Sequence, residues 1–282
     1  MTRPLQTNFA SVPAVGRVHN WLLGGKDNFP ADRALGELLV YRADWLRRAT
    51  EINRAYSALA AAHLVRQGIR QIVELGCGYP TPRSRPIPNV YQAAAGIASD
   101  ATVVHIDHDR VVTAHAGAHL TGPPGRHSVV CADIRKMGDV FCSRSMRALD
   151  RRQPIAALIH DVLPWIPNDL EVHTLLTTLR SWLPPGSVIS ITHATADMRP
   201  GDVEDLALYY EEAGIPYRPR TADQIRALHA PWPLVEPGLV PTGRWHTDQL
   251  HAYLPDHESG AYAAVSAHPK PRYDRRAPAL SG

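Results

Sequence analysis

Glu74-Leu75-Gly76-Cys77-Gly78 closes a short apolar run that begins at Gln71, and the reading of the fold turns on it. Gln71 to Leu75 predicts a strand, and two glycines at alternate positions let the backbone turn sharply with no Cβ in a ligand's way. Open α/β sheets bind their ligands at this carboxyl edge. By itself the stretch supports either a nucleotide-like ligand or a tight turn with none.

Downstream, Thr102-Asp107, Ser128-Cys131, Ile155-His160 and Val188-His193 are further apolar runs, separated by helical patterns. Residues that are apolar in succession suit strands covered on both faces, and strands alternating with helices imply a parallel, doubly wound sheet. Leu234-Glu236 and Tyr262-Ala267 follow one another through loop material only, which predicts an antiparallel pair closing the sheet edge. Upstream, Val15-Leu23, Asp32-Leu46 and Ile52-Val65 read as helices, with Gly24-Gly25 breaking the first. The expectation is therefore an α/β chain with a Rossmann-like, mostly parallel seven-stranded sheet. Residues 1–65 would form a helical N-terminal cover and lid, 66–267 the ligand-binding α/β domain, and 268–282 a flexible tail. Residues 1–12 read as frayed, and Pro80 to Pro88 as an unusually long strand-to-helix loop.

Composition narrows the classes. The chain has 282 residues, 44 % of them hydrophobic, enough for a substantial core. Its longest apolar runs fall short of the ~20 residues of a membrane span, and no apolar signal core follows Met1-Thr2-Arg3-Pro4. A cytoplasmic protein with no membrane partner is expected. Thirty Lys+Arg against 27 Asp+Glu leave a formal charge of +3, too small to imply nucleic acid. Cys77, Cys131 and Cys142 are widely and irregularly spaced, so neither a disulfide framework nor zinc is indicated. Fifteen histidines form no metal-ligand motif. The apolar helices of residues 34–65 would either cover the sheet or pair with a second subunit as a homodimer.

Acids stand at three successive strand ends. Asp107 is suited to accept from ribose hydroxyls, Asp133 from an adenine amino group, and Glu74 ends the first strand. Any one of them alone could serve as a helix N-cap. A dinucleotide wants G-x-G-x-x-G for its pyrophosphate, whereas Thr81-Pro82 stands where the third glycine would be. S-adenosylmethionine (SAM) has no phosphate and carries a sulfonium cation, so the acidic Glu-x-Gly-x-Gly turn suits it better than NAD.

Arg17-Val18, Leu22-Leu23-Gly24-Gly25-Lys26-Asp27-Asn28-Phe29 and Asp32-Arg33 closely resemble the N-terminal signature of an actinobacterial SAM-dependent methyltransferase family of mostly undefined substrate. The likeness continues through Asn53-Arg54, Gly76-x-Gly78 with Pro80-Thr81 and Asn89-Val90, Asp107-x-Asp109 and Asp133-x-Arg135. It resumes at Leu183-Pro184-Pro185-Gly186-Ser187, His193-Ala194-Thr195-Ala196-Asp197 and Val235 to Pro241 with Arg244-Trp245. The resemblance implies the class I methyltransferase fold, with Gly76, Gly78, Asp107 and Asp133 at the SAM site. Asp109 and Ile134, beside those acids, are expected in the same wall. The chain departs from the family at His19-Asn20-Trp21, usually Tyr-Asp-Tyr, at the inserted Pro82 to Pro88, and at the polar His160-Asp161 ending the fourth strand.

Methyl transfer to a small-molecule acceptor is the leading expectation. A SAM-consuming cyclase that forms a small cyclic amino acid, motivated by Asn20 and by His160-Asp161, and a non-catalytic SAM sensor are the alternatives. His160, which also lines the cofactor, and His193 are the candidate bases, with Asp161 beside them. Trp21 and Trp165 are candidate aromatic walls against the sulfonium, the alternative for both being core packing. His19 faces the acceptor in this reading. Gly24-Gly25 would hinge a lid that brings Lys26, Asp27 and Asn28 to the amino-acid end of SAM.

Overall fold

The computed structural model describes residues 10–81, 87–120, 122–245 and 255–269. The N-terminal segment holds α1 (Val15–Leu22), α2 (Pro30–Arg42) and α3 (Leu46–Arg66). Strands and helices then alternate: β1 (Gln71–Leu75), α4 (Val90–Ala95), β2 (Thr102–Asp107), α5 (Arg110–His119), β3 (His127–Cys131), α6 (Met137–Cys142), α7 (Arg144–Arg147), β4 (Ile155–His160), α8 (Asp169–Trp182) and β5 (Val188–Ala194). The chain continues through α9 (Pro200–Glu212), α10 (Ala222–His229), β6 (Val240–Pro241) and β7 (Ala261–Ala267). The seven strands lie in the order β3-β2-β1-β4-β5-β7-β6. β1 to β5 pair in parallel, and β7 runs antiparallel to both β5 and β6.

Strand β4 shows why the runs are apolar at successive positions. Ile155, Ala157 and Ile159 point into a core shared with Val172, Leu175, Leu176 and Leu179 of α8, at the spacing of one helix face. The intervening Ala156 and Leu158 point the other way, into a core with Tyr56, Ala60, Ala61 and Leu64 of α3. Period two and cover on both faces together leave no position for a polar residue until His160. Because α3 shares a core with β1, β4 and β7, the expected boundary near residue 65 does not fall between separately packed units. Leu35 and Leu39 of α2 are buried inside the chain, while Leu38 and Tyr41 on the same helix are exposed.

The closing edge differs from expectation. The paired strand is Val240–Pro241 against Tyr262 and Ala263, while Leu234 makes only an isolated bridge to Ser266. Pro233 and Pro237 bracket the expected strand at Leu234-Glu236, and neither has an N–H to give a ladder. Residues 82–86 of the proline-rich insertion and 270–282 of the expected tail lie outside the described residues. No helix among the described residues is long and apolar enough to cross a membrane.

The cover is fixed by one buried carboxylate. Asp32, fully buried in α2, accepts from Arg17 Nε at 2.8 Å, from the Phe29 N–H at 2.7 Å and from the Ala14 N–H at 2.9 Å. It thereby holds the start of α1 against the start of α2. Val18 and Leu22 of α1 then pack with Leu35 and Leu39 of α2 and Leu206 and Tyr210 of α9. Removing one partner of a buried ion pair leaves the other charge uncompensated. Asp32→Ala is expected to destabilise the chain by roughly 3–5 kcal/mol in urea unfolding, with Arg17→Met less harmful because Asp32 would keep the Ala14 and Phe29 N–H donors.

Candidate active site

Under α1, at the carboxyl ends of β1 to β4, lies a cavity of about 380 Å³, within the range of ordinary small-molecule sites. Its floor is the turn after β1. Gly76 and Gly78 have φ of +77° and +62°, the left-handed region open to glycine. A Cβ on Gly76 would sit 2.3 Å from Val162 Cγ2 of the loop after β4. The space that glycine leaves here is filled by the protein's own side chain. Arg54 of α3 donates to the Cys77 and Tyr79 carbonyls at 3.1 and 3.2 Å, stapling the turn from above.

Asp107 ends β2 and accepts the Gly78 N–H and the Asp109 N–H, both at 3.0 Å. Burial raises its carboxyl above the ordinary value, and the two N–H bonds offset part of that. Each carboxylate oxygen keeps a lone pair for a further donor. Asp109 has two duties, since it lines the cavity and also caps α5 through the Val111 N–H at 2.7 Å. At the β3 end Asp133 is gripped by Arg135, whose hydrogen bond holds its carboxyl below the usual range, and the buried Ile134 stands beside it in the wall. Glu74 faces the cavity from β1, and its Oε2 lies 2.5 Å from His105 Nδ1. These residues suit SAM: acids at successive strand ends face one cavity and offer acceptors to hydroxyls, an ammonium and a sulfonium, with no phosphate cradle.

The far end of the cavity separates the candidate bases. His160 is clamped between two serines, with Nδ1 2.9 Å from Ser57 Oγ and Nε2 2.9 Å from Ser190 Oγ. The Tyr56 hydroxyl reaches Ser190 Oγ at 2.8 Å, and Ser57 donates to the Asn53 carbonyl at 3.2 Å. Read in that direction every group is satisfied, so His160 lines the cavity with no free nitrogen. Burial, with the Arg54 charge nearby, pushes its pKa down to about 3. His193 does not reach the cavity. It is wholly buried, gives Nδ1–H to the Ala194 carbonyl at 2.8 Å and accepts at Nε2 from Arg220 at 2.9 Å.

Asp161 is the group left available. It is the one non-glycine among the described residues with positive φ, at +56°, a conformation that costs energy and marks functional sites. Its N–H goes to the Thr192 carbonyl at 3.1 Å, and its own carbonyl takes the Trp165 indole N–H at 2.7 Å. The backbone is thus over-determined, and the side chain turns into the cavity with Oδ2 3.8 Å from His19 Nδ1 of α1. Burial pushes Asp161 up to about 7 and, with Arg54, His19 down to about 4. Trp165 lines the cavity, lies edge-on to His19 at 5.6 Å and is backed by Tyr210 and Tyr217.

Trp21 and the expected lid fall elsewhere. Trp21 lies outside the cavity wall, under the Arg47 guanidinium at 4.0 Å and against Gly36. Lys26, Asp27 and Asn28 also lie outside the wall. Their loop is organised by Asn20, which accepts the Asp27 N–H at 2.9 Å and Asn28 Nδ2 at 3.0 Å. Gly25 accommodates that amide, because a Cβ there would stand 2.3 Å from Asn20 Nδ2. The cover reaches the cavity through Gly16, His19 and Asn20 of α1, Leu23 just after it, and Asn53, Arg54 and Ser57 of α3. Sequence reasoning gave no role to Arg54, Asn53 and Ser57, although Asn53-Arg54 already stood out in the family likeness. Among the described residues no group of His, Cys, Asp or Glu is placed to hold a metal ion.

Comparison with known proteins accords with this geometry. The S-adenosyl methyltransferase family model matches residues 3–269. A DUF574 family protein from Streptomyces avermitilis is 29 % identical with a TM-score of 0.86, over 92 % of this chain and 99 % of its own. A proposed methyltransferase from Thermobifida fusca is also 29 % identical, with a TM-score of 0.83 over 95 % of this chain and 99 % of its own. An O-methyltransferase family protein from Burkholderia thailandensis, at 12 % identity and TM-score 0.53 over 82 % of this chain and 59 % of its own, shares the fold. No curated protein matches the sequence. With a family model spanning nearly its whole length and a cavity edged by strand-end acids, the chain belongs to the S-adenosyl methyltransferase family and is a SAM-dependent methyltransferase.

Proposed function

We propose that Asp161 is the general base of methyl transfer to a small-molecule acceptor bound beside His19 and Trp165. The observation that carries this reading is a half-buried carboxylate on a left-handed backbone, facing the same cavity as the strand-end acids, with its pKa pushed up to about 7. SAM, when bound, supplies an electrophilic methyl group on a sulfonium. Glu74, Asp107, Asp133, Ile134 and the Gly76–Gly78 turn would hold it, with Asp109 capping the helix behind. The work of the chain's own residues is then to align an acceptor, keep water out and take one proton.

A base titrating near neutrality accepts a proton from an acceptor O–H or N–H at little cost and returns it to solvent afterwards. His19, with its pKa down at about 4, stays neutral and can hydrogen-bond either Asp161 or the acceptor. Trp165, Ile166, Ile215 and Pro216 give this end of the cavity an apolar wall. Two of the residues that suggested cyclisation have other employment: Asn20 holds the loop after α1, and His160 is bonded at both nitrogens. Methyl transfer needs only Asp161.

The test is product analysis with methyl-labelled SAM and a fractionated metabolite extract. Transfer yields S-adenosylhomocysteine and a labelled acceptor; methylthioadenosine from SAM alone would mean cyclisation, and saturable binding with no product would mean a sensor. Asp161→Asn should lower turnover about 100-fold or more while leaving S-adenosylhomocysteine affinity within about threefold. The wild-type rate at limiting acceptor should rise with pH through about 7 as Asp161 ionises.

The same shift predicts a stability effect of opposite sense. Between the ordinary carboxyl value and about 7 the folded chain keeps a proton on Asp161 that the unfolded chain releases. Stability therefore falls as pH rises through that window and levels off above it. Asp161→Asn removes the penalty, so the variant should be more stable at pH 8 by on the order of 2 kcal/mol, with the difference fading towards pH 4. Thermal unfolding at the two pH values measures it.

A further inference from the structure

Glu74 and His105 stand opposite each other in the register of β1 and β2. Glu74 is in the cavity wall; His105 is not, and at 1 % exposure it is sealed inside the sheet's helical cover. Its Nδ1 lies 2.5 Å from Glu74 Oε2, within hydrogen-bond distance. Its Nε2 has no partner among the described residues. A histidine here is an odd choice for packing, because Val103, Val104 and Ile106 fill the rest of the strand and an apolar side chain would strand no polar atom. What the imidazole does accomplish is to occupy one oxygen of Glu74, whose Oε1 meets no donor among the described residues. Without that bond the carboxylate is free to turn about its terminal torsion and to present either oxygen, or neither, to the cavity.

We propose that His105 is a positioning residue that fixes the Glu74 carboxylate for the ammonium of the cofactor's amino-acid chain, without touching the cofactor. The proposal rests on the SAM site assigned above. Along the cavity Glu74 falls between Asp107, placed for the ribose, and Asp161 at the reacting end, which is where an aminobutyrate chain leaving the ribose must pass. His105 then governs discrimination between nucleosides that carry that chain and nucleosides that lack it. The adenosine end, held by Asp107, Asp133 and Ile134, is indifferent to it.

Calorimetric titration of S-adenosylhomocysteine and of methylthioadenosine, which lacks the amino-acid chain, tests this on the full chain without turnover. Wild type should prefer S-adenosylhomocysteine. His105→Phe should weaken that ligand by about tenfold or more and leave methylthioadenosine within about twofold, whereas His105→Asn, which keeps a donor near the Nδ1 position, should retain most of the preference. In a Glu74→Gln background the His105 substitutions should add little, since the carboxylate they serve is gone. Equal loss of both ligands, or a full additive loss on top of Glu74→Gln, would reduce His105 to a structural role and overturn the proposal. If His105→Phe fails to fold, His105→Val, which removes the donor with a residue type already present at the neighbouring positions 103 and 104, takes its place in the cycle with Glu74→Gln. Wild type binding neither nucleoside would overturn the SAM site itself, a result distinct from failure of the histidine's role.

Discussion

The turn after β1 is where four elements are tied, and the site depends on the groups that tie it. One guanidinium, that of Arg54, takes the carbonyls of Cys77 and Tyr79, while the Asp107 carboxylate takes the Gly78 N–H. Val162 fills the volume that Gly76 leaves open. Helix α3, strands β1 and β2 and the loop after β4 are thereby set against one another through main-chain atoms that would otherwise be buried without partners. The left-handed glycines permit the turn; the polar contacts choose its orientation. Glu74, Asp107, Asp161 and the α3 side chains of the cavity wall hang from these elements.

The histidines show how the same polar accounting distributes function. Burial depresses the pKa of His19, His160 and His193 alike, so charge does not tell them apart. Partners do. His160 has both nitrogens engaged by serines, His193 is consumed by Arg220 and a carbonyl, and among the described residues the polar group nearest the His19 ring is the Asp161 carboxylate at 3.8 Å. Asp161 is in turn held through its main-chain atoms, and among the described residues no donor stands closer to its carboxylate than His19. Its left-handed backbone is tolerated because Thr192 and Trp165 fix the peptide on both sides.

The N-terminal segment belongs to the site as much as the sheet does. Asp32 sets α1 through Arg17 and two N–H groups, and α1 contributes His19 to the reacting end. The glycine pair after α1 looks like a hinge from sequence because paired glycines are permissive. Gly25 is instead required by the Asn20 side chain packed against it, and Asn20 binds the following loop into a fixed turn. Glycine in a sequence signals either freedom or lack of room, and only the neighbours say which.

The sheet, most of its strand limits and the acids at the strand ends were readable in the chain because each is a local matter. A strand covered on both faces is apolar at nearly every position, so β4 announces its end where His160 interrupts the run, while β1 and β2 admit Glu74 and His105 inside theirs as a hydrogen-bonded pair. The weak edge was misplaced for an equally local reason: two residues of β6 carry too little pattern to outweigh the apolar Leu234-Glu236, whose flanking prolines bar a ladder. The identity of the base was not readable. Whether His160, His193 or Asp161 is free to take a proton depends on Ser57, Ser190 and Arg220, remote in sequence and brought near only by packing. Periodicity fixes where the polar residues stand along the chain, but availability is a property of what surrounds them in space, and the folded structure alone assigns that.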